Sequence, residues 1–224
     1  AFENIKIDGI YSHLSTADSL DAAYENSYAN IQRRMFLQIL SNISIHRYPN
    51  IKIHLANSAG TLIGNDFHFD MVRVGLCMYG YKPSKYQSNL KLKPAMSLKS
   101  KVSFIKIVDN NVGVSYGKKF ITSKKTKLAV ISIGYADGIY RTLSNQISLI
   151  HNGKMYPQIG SITMDQMMID ITGANDINVG DTVILLGSDE GKSISPVDWA
   201  DAASAIPWEI LCAFKNRLPR VQIC

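Results

Sequence analysis

Apolar positions in the first third of the chain fall into short runs that predict β-strands. The runs cover residues 5–13, 51–55 and 71–78, and each ends in polar or small residues. Stretches with helical spacing separate them, so the elements follow the order strand, helix, strand, short helix, strand. This order predicts parallel strands joined by crossover helices.

The predicted helices cover residues 20–41 and 59–64. In the longer helix the apolar side chains recur at helical spacing, which predicts one buried face. That face comprises Tyr24, Tyr28, Ile31, Met35 and Ile39.

The pattern changes after residue 81. Residues 82–94 are polar, contain two prolines and predict a linker. The rest of the chain reads as mostly β, with strands at residues 98–107, 127–133, 146–150, 154–159, 167–171 and 182–186. Asn152-Gly153 predicts a type I′ hairpin. Ser195 and Pro207 mark the starts of two closing helices.

The composition is that of a folded protein with a sizeable core. With 224 residues, 46% hydrophobic and 19% charged, the chain is too apolar for disorder and long enough for one large or two modest domains. The formal net charge is +6, but the lysines are scattered without interleaved aromatic residues. We therefore expect a solvated basic face and no nucleic-acid partner.

The cysteines and the apolar runs indicate the compartment. Cys77, Cys212 and Cys224 are irregularly spaced, which favours a reducing compartment and no metal site. The sequence shows no signal peptide and no run long enough to span a bilayer, so we expect a cytoplasmic protein. Because the chain begins with Ala1 rather than Met, we expect a piece of a longer polypeptide. It would lie at the cytoplasmic face of the membrane if a membrane domain precedes it.

Polar side chains cluster where the first three predicted strands end. His13 ends the first strand, Asn57 and Ser58 follow the second, and Arg73 and Gly75 lie in the third. In parallel β/α barrels the functional residues occupy the carboxyl ends of strands, where backbone N–H groups often bind phosphate. His13 alone also fits a structural histidine. A guanidinium in an apolar strand, however, requires an anion or a network of acceptors.

Two loops present a tyrosine among small residues. They are Gly-Val-Ser-Tyr-Gly at residues 113–117 and Gly-Tyr-Ala-Asp-Gly at residues 134–138. Glycine permits positive φ, so such loops can hold a phenol in a defined position. Either loop alone also fits a hairpin end with a surface aromatic residue. A third segment, Ile-Thr-Met-Asp-Gln at residues 162–166, favours a functional interpretation of all three.

Together these segments resemble the alanine racemases, pyridoxal-phosphate enzymes that join a β/α barrel to a β-rich C-terminal domain. The similarity also includes residues 8–18, 54–59, 72–80, 209–212 and 217–220, in the family's order. The resemblance implies an α/β fold in which residues 1–84 form the last strands of a TIM-type barrel. A mostly-β domain over residues 85–224 would follow.

The resemblance implies a catalytic role for several candidates. Tyr116 would remove the α-proton of the L-amino acid, and His13 would help to set its protonation. A free tyrosine has a pKa of about 10 and needs such help at neutral pH. Arg73, supported by His54, would face the pyridine nitrogen of pyridoxal 5′-phosphate without protonating it, because a guanidinium does not readily release a proton.

The remaining candidates would bind the phosphate or the substrate. The phosphate candidates are Ser58, Gly75, Leu76 and Trp208. Met164 and Asp165 would seat the substrate carboxylate, and Tyr135 would line the channel to the site. In the family these C-terminal residues act on the partner subunit's cofactor. The resemblance therefore implies a homodimer with shared active sites and a small amino acid as substrate.

Two features depart from the family pattern. The lysine that binds the cofactor covalently and serves as the second base is missing here, as is an arginine that binds the substrate carboxylate. Both lie upstream in the family. We therefore expect the C-terminal portion of an alanine racemase that is inactive by itself. Trp208 stands where the family has a phosphate-binding tyrosine, so it either reaches the phosphate or belongs to the core.

Three other interpretations remain open. A serine racemase of the vancomycin-resistance type carries a similar module behind a membrane domain. A non-catalytic remnant could serve as a binding module, although the retention of Tyr116, Tyr135 and Arg73 argues against it. A decarboxylase of the same architecture would carry a carboxylate where Arg73 stands, so it ranks last.

Overall fold

The structure, a computed structural model, describes residues 4–43, 48, 50–83 and 90–222. The chain divides into two compact units, Ala1–Ala95 and Met96–Cys224. The predicted boundary between residues 84 and 85 lies outside the described residues and stays a prediction.

The first unit contains the predicted pair of parallel strands. β1 (Gly9–Tyr11) pairs in parallel with β2 (Lys52–His54). Helix α1 (Tyr28–Asn42) lies between them in the chain, and α2 (Ser58–Ile63) follows β2. Because the strands are parallel, the residues that follow them are brought to one edge of the sheet.

Helix α1 differs from its prediction in its start and in its buried face. It begins at Tyr28, where the hydroxyl of Ser27 accepts a hydrogen bond from the Asn30 N–H at 3.2 Å. The predicted core residues Tyr24, Tyr28, Met35 and Ile39 are more than half exposed, whereas Ala29, Phe36 and Leu40 are buried. Helical periodicity permits more than one apolar stripe, and only packing decides which stripe faces the core.

The predicted strand at residues 71–78 is wrong. Met71 forms only an isolated parallel bridge with His54, and a 3-10 helix occupies Leu76–Tyr79. Gly75, at φ −110° and ψ −84°, turns the chain out of the extended conformation between the two. Alternating apolar residues are compatible with either outcome, so the pattern alone could not distinguish them.

The second unit is built of antiparallel strands, as predicted for a mostly-β region. Its strands are β3 (Leu98–Val108), β4 (Gly113–Val114), β5 (Phe120–Ile121), β6 (Thr126–Ile131), β7 (Ser148–His151), β8 (Lys154–Ile159), β9 (Met167–Asp170), β10 (Thr182–Asp189) and β11 (Lys192–Ile194). Seven of them form one sheet in the order β11-β10-β3-β6-β9-β8-β7, and an additional pairing of β10 with β7 closes this sheet on itself. β4 and β5 form a separate hairpin.

The longer strands of this unit confirm the sequence prediction with small shifts at their ends. Asn152 and Gly153 both have positive φ, 47° and 67°, which confirms the type I′ hairpin between β7 and β8. The strands that the prediction missed are β4, β5 and β11. They are two or three residues long, too short to produce a recognisable alternation.

Two helices close the second unit where predicted, α3 (Pro196–Ala203) and α4 (Pro207–Ala213). Trp199 of α3 is buried in the core of the unit and contacts the Phe214 ring edge-on, with ring centroids 6.5 Å apart. Within the described part of the chain, no helix has the length and apolar character needed to cross a bilayer.

The start of α3 gives a test of the fold. The Ser195 hydroxyl accepts a hydrogen bond from the Asp198 N–H at 3.2 Å, and the Asp198 carboxylate accepts one from the Ser195 N–H at 2.7 Å. We expect Ser195→Ala to lower the free energy of unfolding by about 1 kcal/mol, because it removes this cap. Urea denaturation followed by tryptophan fluorescence measures it. Ser193→Ala, an exposed position of β11, is the control, and equal midpoints for the two variants would contradict the prediction.

Candidate active site

Arg73 lies at the centre of the polar cluster in the first unit. Its Nη1 lies 2.6 Å from His54 Nδ1 and its Nη2 lies 3.2 Å from His13 Nδ1. Nη2 also donates to the backbone carbonyls of Ser12 at 2.8 Å and Leu55 at 3.3 Å. The structure therefore brings together three predicted site residues and supplies the acceptors that a partly buried guanidinium requires.

The chemistry of arginine determines the state of both histidines. A guanidinium can only donate hydrogen bonds, so the Nδ1 atoms of His54 and His13 must accept, and any proton on the neutral rings is on Nε2. Burial, and secondly the charge of Arg73, lower the pKa of His54. His54 is therefore a neutral acceptor that holds Arg73 in place.

Tyr11 completes this cluster and was missed from the sequence. Its ring stacks on the His54 ring, with centroids 5.2 Å apart and planes at 6°, and the Arg73 guanidinium lies 5.1 Å from its centroid. Such cation–π contacts help to fix a guanidinium. The available signal was the spacing of Tyr11 and His13, since alternate residues of an extended chain lie on the same face.

The Nε2–H of His13 remains available. The His13 Nε2 atom lies 3.4 Å from Asn57 Nδ2. The Asn57 amide is oriented by its other bonds, because Oδ1 accepts from the Gly60 N–H at 2.9 Å and Nδ2 donates to the Leu14 carbonyl at 3.2 Å. The 3.4 Å distance therefore joins two donors and is not a hydrogen bond. His13 can offer this proton to an acceptor outside the cluster.

The predicted phosphate residues of the first unit also lie together. The Ser58 hydroxyl accepts from the Gly75 N–H at 2.9 Å and from the Cys77 N–H at 3.4 Å. Because these bonds use its lone pairs, its own O–H can donate to an anion. A methyl group on Gly75 would meet nothing within 4 Å, so the space beside it is open. Leu76 begins the 3-10 helix that follows and is itself buried.

The first tyrosine loop leaves Tyr116 projecting from the surface, with 72% of the residue exposed. It follows the β4 strand and begins a 3-10 helix, Tyr116–Lys118. Positive φ occurs at Gly117 as expected, but also at Ser115, whose φ of 63° is unusual for a residue with a side chain. A strained residue immediately before the candidate base is an observation that points to function.

Residues 160–166 contact the first tyrosine loop through two serines. The Ser115 hydroxyl donates to the Ser161 carbonyl, and the Ser161 hydroxyl donates to the Tyr116 carbonyl, each at 2.7 Å. Ser161 is almost completely buried, with 1% of its surface exposed. Neither serine has a role that the sequence predicts.

The same segment also holds the second tyrosine loop. The N–H groups of Tyr135 and Ala136 donate to the carbonyls of Thr163 at 2.9 Å and Met164 at 3.0 Å. Residues 160–166 thus join both tyrosine loops to the predicted substrate residues Met164 and Asp165. The structure brings the backbone of Tyr116, that of Tyr135 and this segment into one region.

Arg217 ties the second loop to Asp165 and was also missed. Its Nε lies 3.0 Å from Asp137 Oδ1, and its Nη2 lies 2.6 Å from Asp165 Oδ1. The bond to Asp165 and then the charge of Asp137 raise the pKa of Arg217. Asp165 is exposed whereas the Asp137 side chain is only 9% exposed, so the bond to Asp137 is less screened by solvent and the more important of the two. The family-like tail at residues 217–220 was the available signal.

Trp208 lies in the second unit, on α4, and is half-buried. Its indole N–H forms no hydrogen bond with any residue that the structure describes. The predicted contact of Trp208 with a phosphate stays a prediction.

Comparison with known proteins places these clusters in a family. Residues 1–83 match the family model "Alanine racemase, N-terminal domain", and residues 95–222 match "Alanine racemase, C-terminal domain". The chain belongs to the alanine racemase family. Its fold is accordingly that family's N-terminal barrel part followed by the C-terminal β domain with its large antiparallel sheet.

Individual family members are similar over nearly the whole chain. The alanine racemase of Prochlorococcus marinus is 50% identical over 222 residues, which cover 99% of this chain and 57% of that protein. The solved alanine racemase of Streptomyces lavendulae, a D-cycloserine producer, superposes with a TM-score of 0.87 at 34% identity and covers 98% of this chain and 57% of its own. The alanine racemase of Bartonella henselae, solved with covalently bound pyridoxal phosphate, gives a TM-score of 0.84 at 32% identity, with coverages of 97% and 57%. The chain therefore spans little more than half the length of the relatives it matches.

The support of the second tyrosine loop can be tested at Gly134. Its φ of −151° suits any residue, but a Cβ there would lie 2.2 Å from the Thr163 carbonyl oxygen and 2.4 Å from that of Met164. We expect Gly134→Ala to lower the free energy of unfolding by about 2–3 kcal/mol through this overpacking. Chemical denaturation measures it. Gly180→Ala is the control, since its positive φ costs only about 1 kcal/mol and nothing lies within 4 Å. A Gly134 variant as stable as the control would contradict the proposed contact.

The Arg73–His54 contact predicts a pH dependence. The folded-state pKa of His54 is lowered, so the unfolded chain takes up this proton first, near pH 6.5. The contribution of neutral His54 to stability is therefore complete above about pH 6.5 and is lost as the pH falls through the lowered pKa. Titration of the His54 ring signals by NMR measures it.

Burial lowers the pKa of His54 more than the charge of Arg73 does, and this order gives a control for the same titration. Arg73→Met removes the charge but not the burial, so we expect the pKa of His54 to rise and yet to stay below that of free histidine. A His54 that titrates above free histidine in the unsubstituted protein would overturn the assignment.

Proposed function

We propose that this chain is the C-terminal portion of a pyridoxal-phosphate-dependent alanine racemase that interconverts L- and D-alanine. The observation that carries the proposal is the Arg73 cluster. Its guanidinium is held by two neutral imidazoles and two backbone carbonyls, beside a serine that can donate to an anion. Membership in the alanine racemase family over nearly the whole chain supports the same reaction.

The residues present fit pyridoxal 5′-phosphate. The O–H of Ser58 can donate to an anion and Gly75 leaves open space, which suits a phosphate. The hydrogen bonds of Arg73 engage Nη1 and Nη2 and leave its Nε–H without an acceptor among the described residues, so this group can donate to a pyridine nitrogen. When bound, the cofactor would withdraw electrons from the substrate and acidify its α-proton.

The proposal gives Tyr116 and His13 the proton chemistry. Tyr116 would take the α-proton on the L side, and the free Nε2–H of His13 would hydrogen-bond the phenolate and stabilise it. Arg73 would hydrogen-bond the ring without protonating it, which keeps the cofactor a weaker electron acceptor and disfavours side reactions. Met164 and Asp165 would seat the carboxylate, and Tyr135 would line the channel. The second base, a lysine, would come from a part of the protein outside this chain.

We also propose that the first unit is the last part of a TIM-type barrel and that the enzyme is a homodimer with shared sites. The parallel pairing of β1 with β2 and the exposed apolar stripe of α1 support the barrel, since further barrel elements would cover that stripe. The exposure of Tyr116, Tyr135 and Met164 supports the dimer, because proton chemistry of this kind takes place away from bulk water. We place the enzyme in the cytoplasm, which the irregular cysteine spacing supports.

No observation favours the serine racemase, binding-module or decarboxylase interpretations. Curated relatives that are 43–50% identical to this chain are named alanine racemases. The guanidinium of Arg73, where a decarboxylase would carry a carboxylate, argues against that class. We therefore propose alanine as the substrate of the enzyme.

The proposal predicts that the longer polypeptide containing this chain, purified with pyridoxal phosphate, racemises alanine faster than serine. Tyr116→Phe should lower the rate by about 10²–10⁴-fold, because it removes a group that transfers a proton. Polarimetry or a D-amino-acid oxidase assay measures the rate. Tyr28→Phe, which removes a phenol from the exposed stripe of α1, is the matched control.

A mixing experiment tests the shared site. A Tyr116→Phe subunit and a subunit inactivated at Arg73 should recover part of the activity when they are unfolded and refolded together, since one site of each mixed dimer is intact. The absence of alanine racemisation would defeat the main proposal, and the absence of recovery would defeat the shared site alone.

A further inference from the structure

The Ser161 hydroxyl is the side-chain donor that holds the backbone of the candidate base. It donates to the Tyr116 carbonyl at 2.7 Å, and the Ser161 carbonyl accepts from the Ser115 hydroxyl at the same distance. We infer that Ser161 is a positioning residue that fixes the Tyr116 phenol for proton transfer on the L side of the substrate. The inference rests on the proposed function.

Tyr116 depends on such a bond because little else holds it. The residue is 72% exposed, so its ring has few packing contacts within this chain. The loop is strained on both sides, with φ of 63° at Ser115 and 47° at Lys118, neither of which is a glycine. An unusual backbone conformation persists only when its surroundings enforce it. The paired serine bonds across residues 115 and 161 are the enforcing contact.

Ser161 is itself rigidly held. It is 1% exposed, and the next residue, Ile162, is fully buried in the main core. The Ile162 N–H donates to the Ser144 hydroxyl at 3.0 Å. Gly160 has a φ of 77° and lies so close to β4 that a Cβ would be 2.7 Å from the Val114 carbonyl oxygen. The Ser161 hydroxyl therefore ties the backbone of Tyr116 to a segment that is anchored in the core.

The position of the Tyr116 phenol affects the reaction rate more strongly than it affects the stability of the fold. A catalytic group works when the reacting atoms are held in near-attack geometry, and a displacement of about 1 Å can cost roughly 10²-fold in rate. In Ser161→Ala the phenol is chemically intact but its backbone loses one anchor. We therefore expect kcat to fall about ten- to a hundredfold with little change in KM.

Isotope effects distinguish positioning from general damage. If Tyr116 is misplaced, removal of the α-proton from L-alanine becomes more rate-limiting, so the primary effect of α-deuterated L-alanine should rise in Ser161→Ala. With D-alanine the α-proton goes to the other base, so the effect of α-deuterated D-alanine should stay constant or fall. A merely structural defect would leave both effects unchanged or alter both alike, and either result would overturn the inference.

Two further variants complete the test in the whole racemase. Ser103→Ala removes a serine hydroxyl bond to a backbone carbonyl, that of Val130 at 3.1 Å, but none to Tyr116 or to residues 160–166, so it should retain near-wild-type rates and isotope effects. Ser115→Gly removes the reciprocal bond while it tolerates positive φ, and it should reproduce the asymmetry if Ser161→Ala does not fold. A symmetric response in Ser115→Gly would also overturn the inference. If the unsubstituted enzyme does not racemise alanine, the proposed function has failed rather than the role of Ser161.

Discussion

The candidate site of the second unit depends on the hydrogen bonds made by residues 160–166. Backbone groups outside a sheet must find partners, and three of those in the two tyrosine loops, the Tyr116 carbonyl and the N–H groups of Tyr135 and Ala136, find them on this one segment. The Ser161 hydroxyl binds the Tyr116 carbonyl, and the carbonyls of Thr163 and Met164 bind the N–H groups that begin the second loop. A displacement of this segment would therefore move both tyrosine loops and the predicted substrate residues together.

Arg73 imposes a comparable constraint on the first unit. A partly buried guanidinium must be surrounded by acceptors, and here these are two imidazoles and two backbone carbonyls that come from β1, β2 and the residues after them. This requirement makes the Nδ1 atoms of both histidines hydrogen-bond acceptors. It leaves the Nε–H of Arg73 and the Nε2–H of His13 for other partners. The donors of the cluster are thus fixed in advance, which is the property that the proposed pyridoxal-phosphate site requires.

The sequence revealed the residues that carry distinctive chemistry but not those that position them. Tyr116, Arg73 and Met164 occur in recognisable motifs. Ser161, Arg217 and Tyr11 act through contacts with residues that are distant in sequence or through ring stacking. A serine at such a position has no local signature, and the family-like tail around Arg217 and the spacing of Tyr11 and His13 do not show which side chains they contact. The sequence separation of 45 between Tyr116 and Ser161 illustrates the difficulty, because no spacing rule connects them.

Local signals determined what the sequence alone could predict: the Asn152-Gly153 hairpin, the Ser195 helix start, the longer strands and the tyrosine loops. Each depends on the conformational preferences of a few adjacent residues. Tertiary structure decided which stripe of α1 is buried and which hydroxyl holds Tyr116. It also decided that residues 71–78 form a single β-bridge and no strand. These outcomes depend on competition among distant surfaces for burial and for hydrogen-bond partners, which a linear pattern does not record.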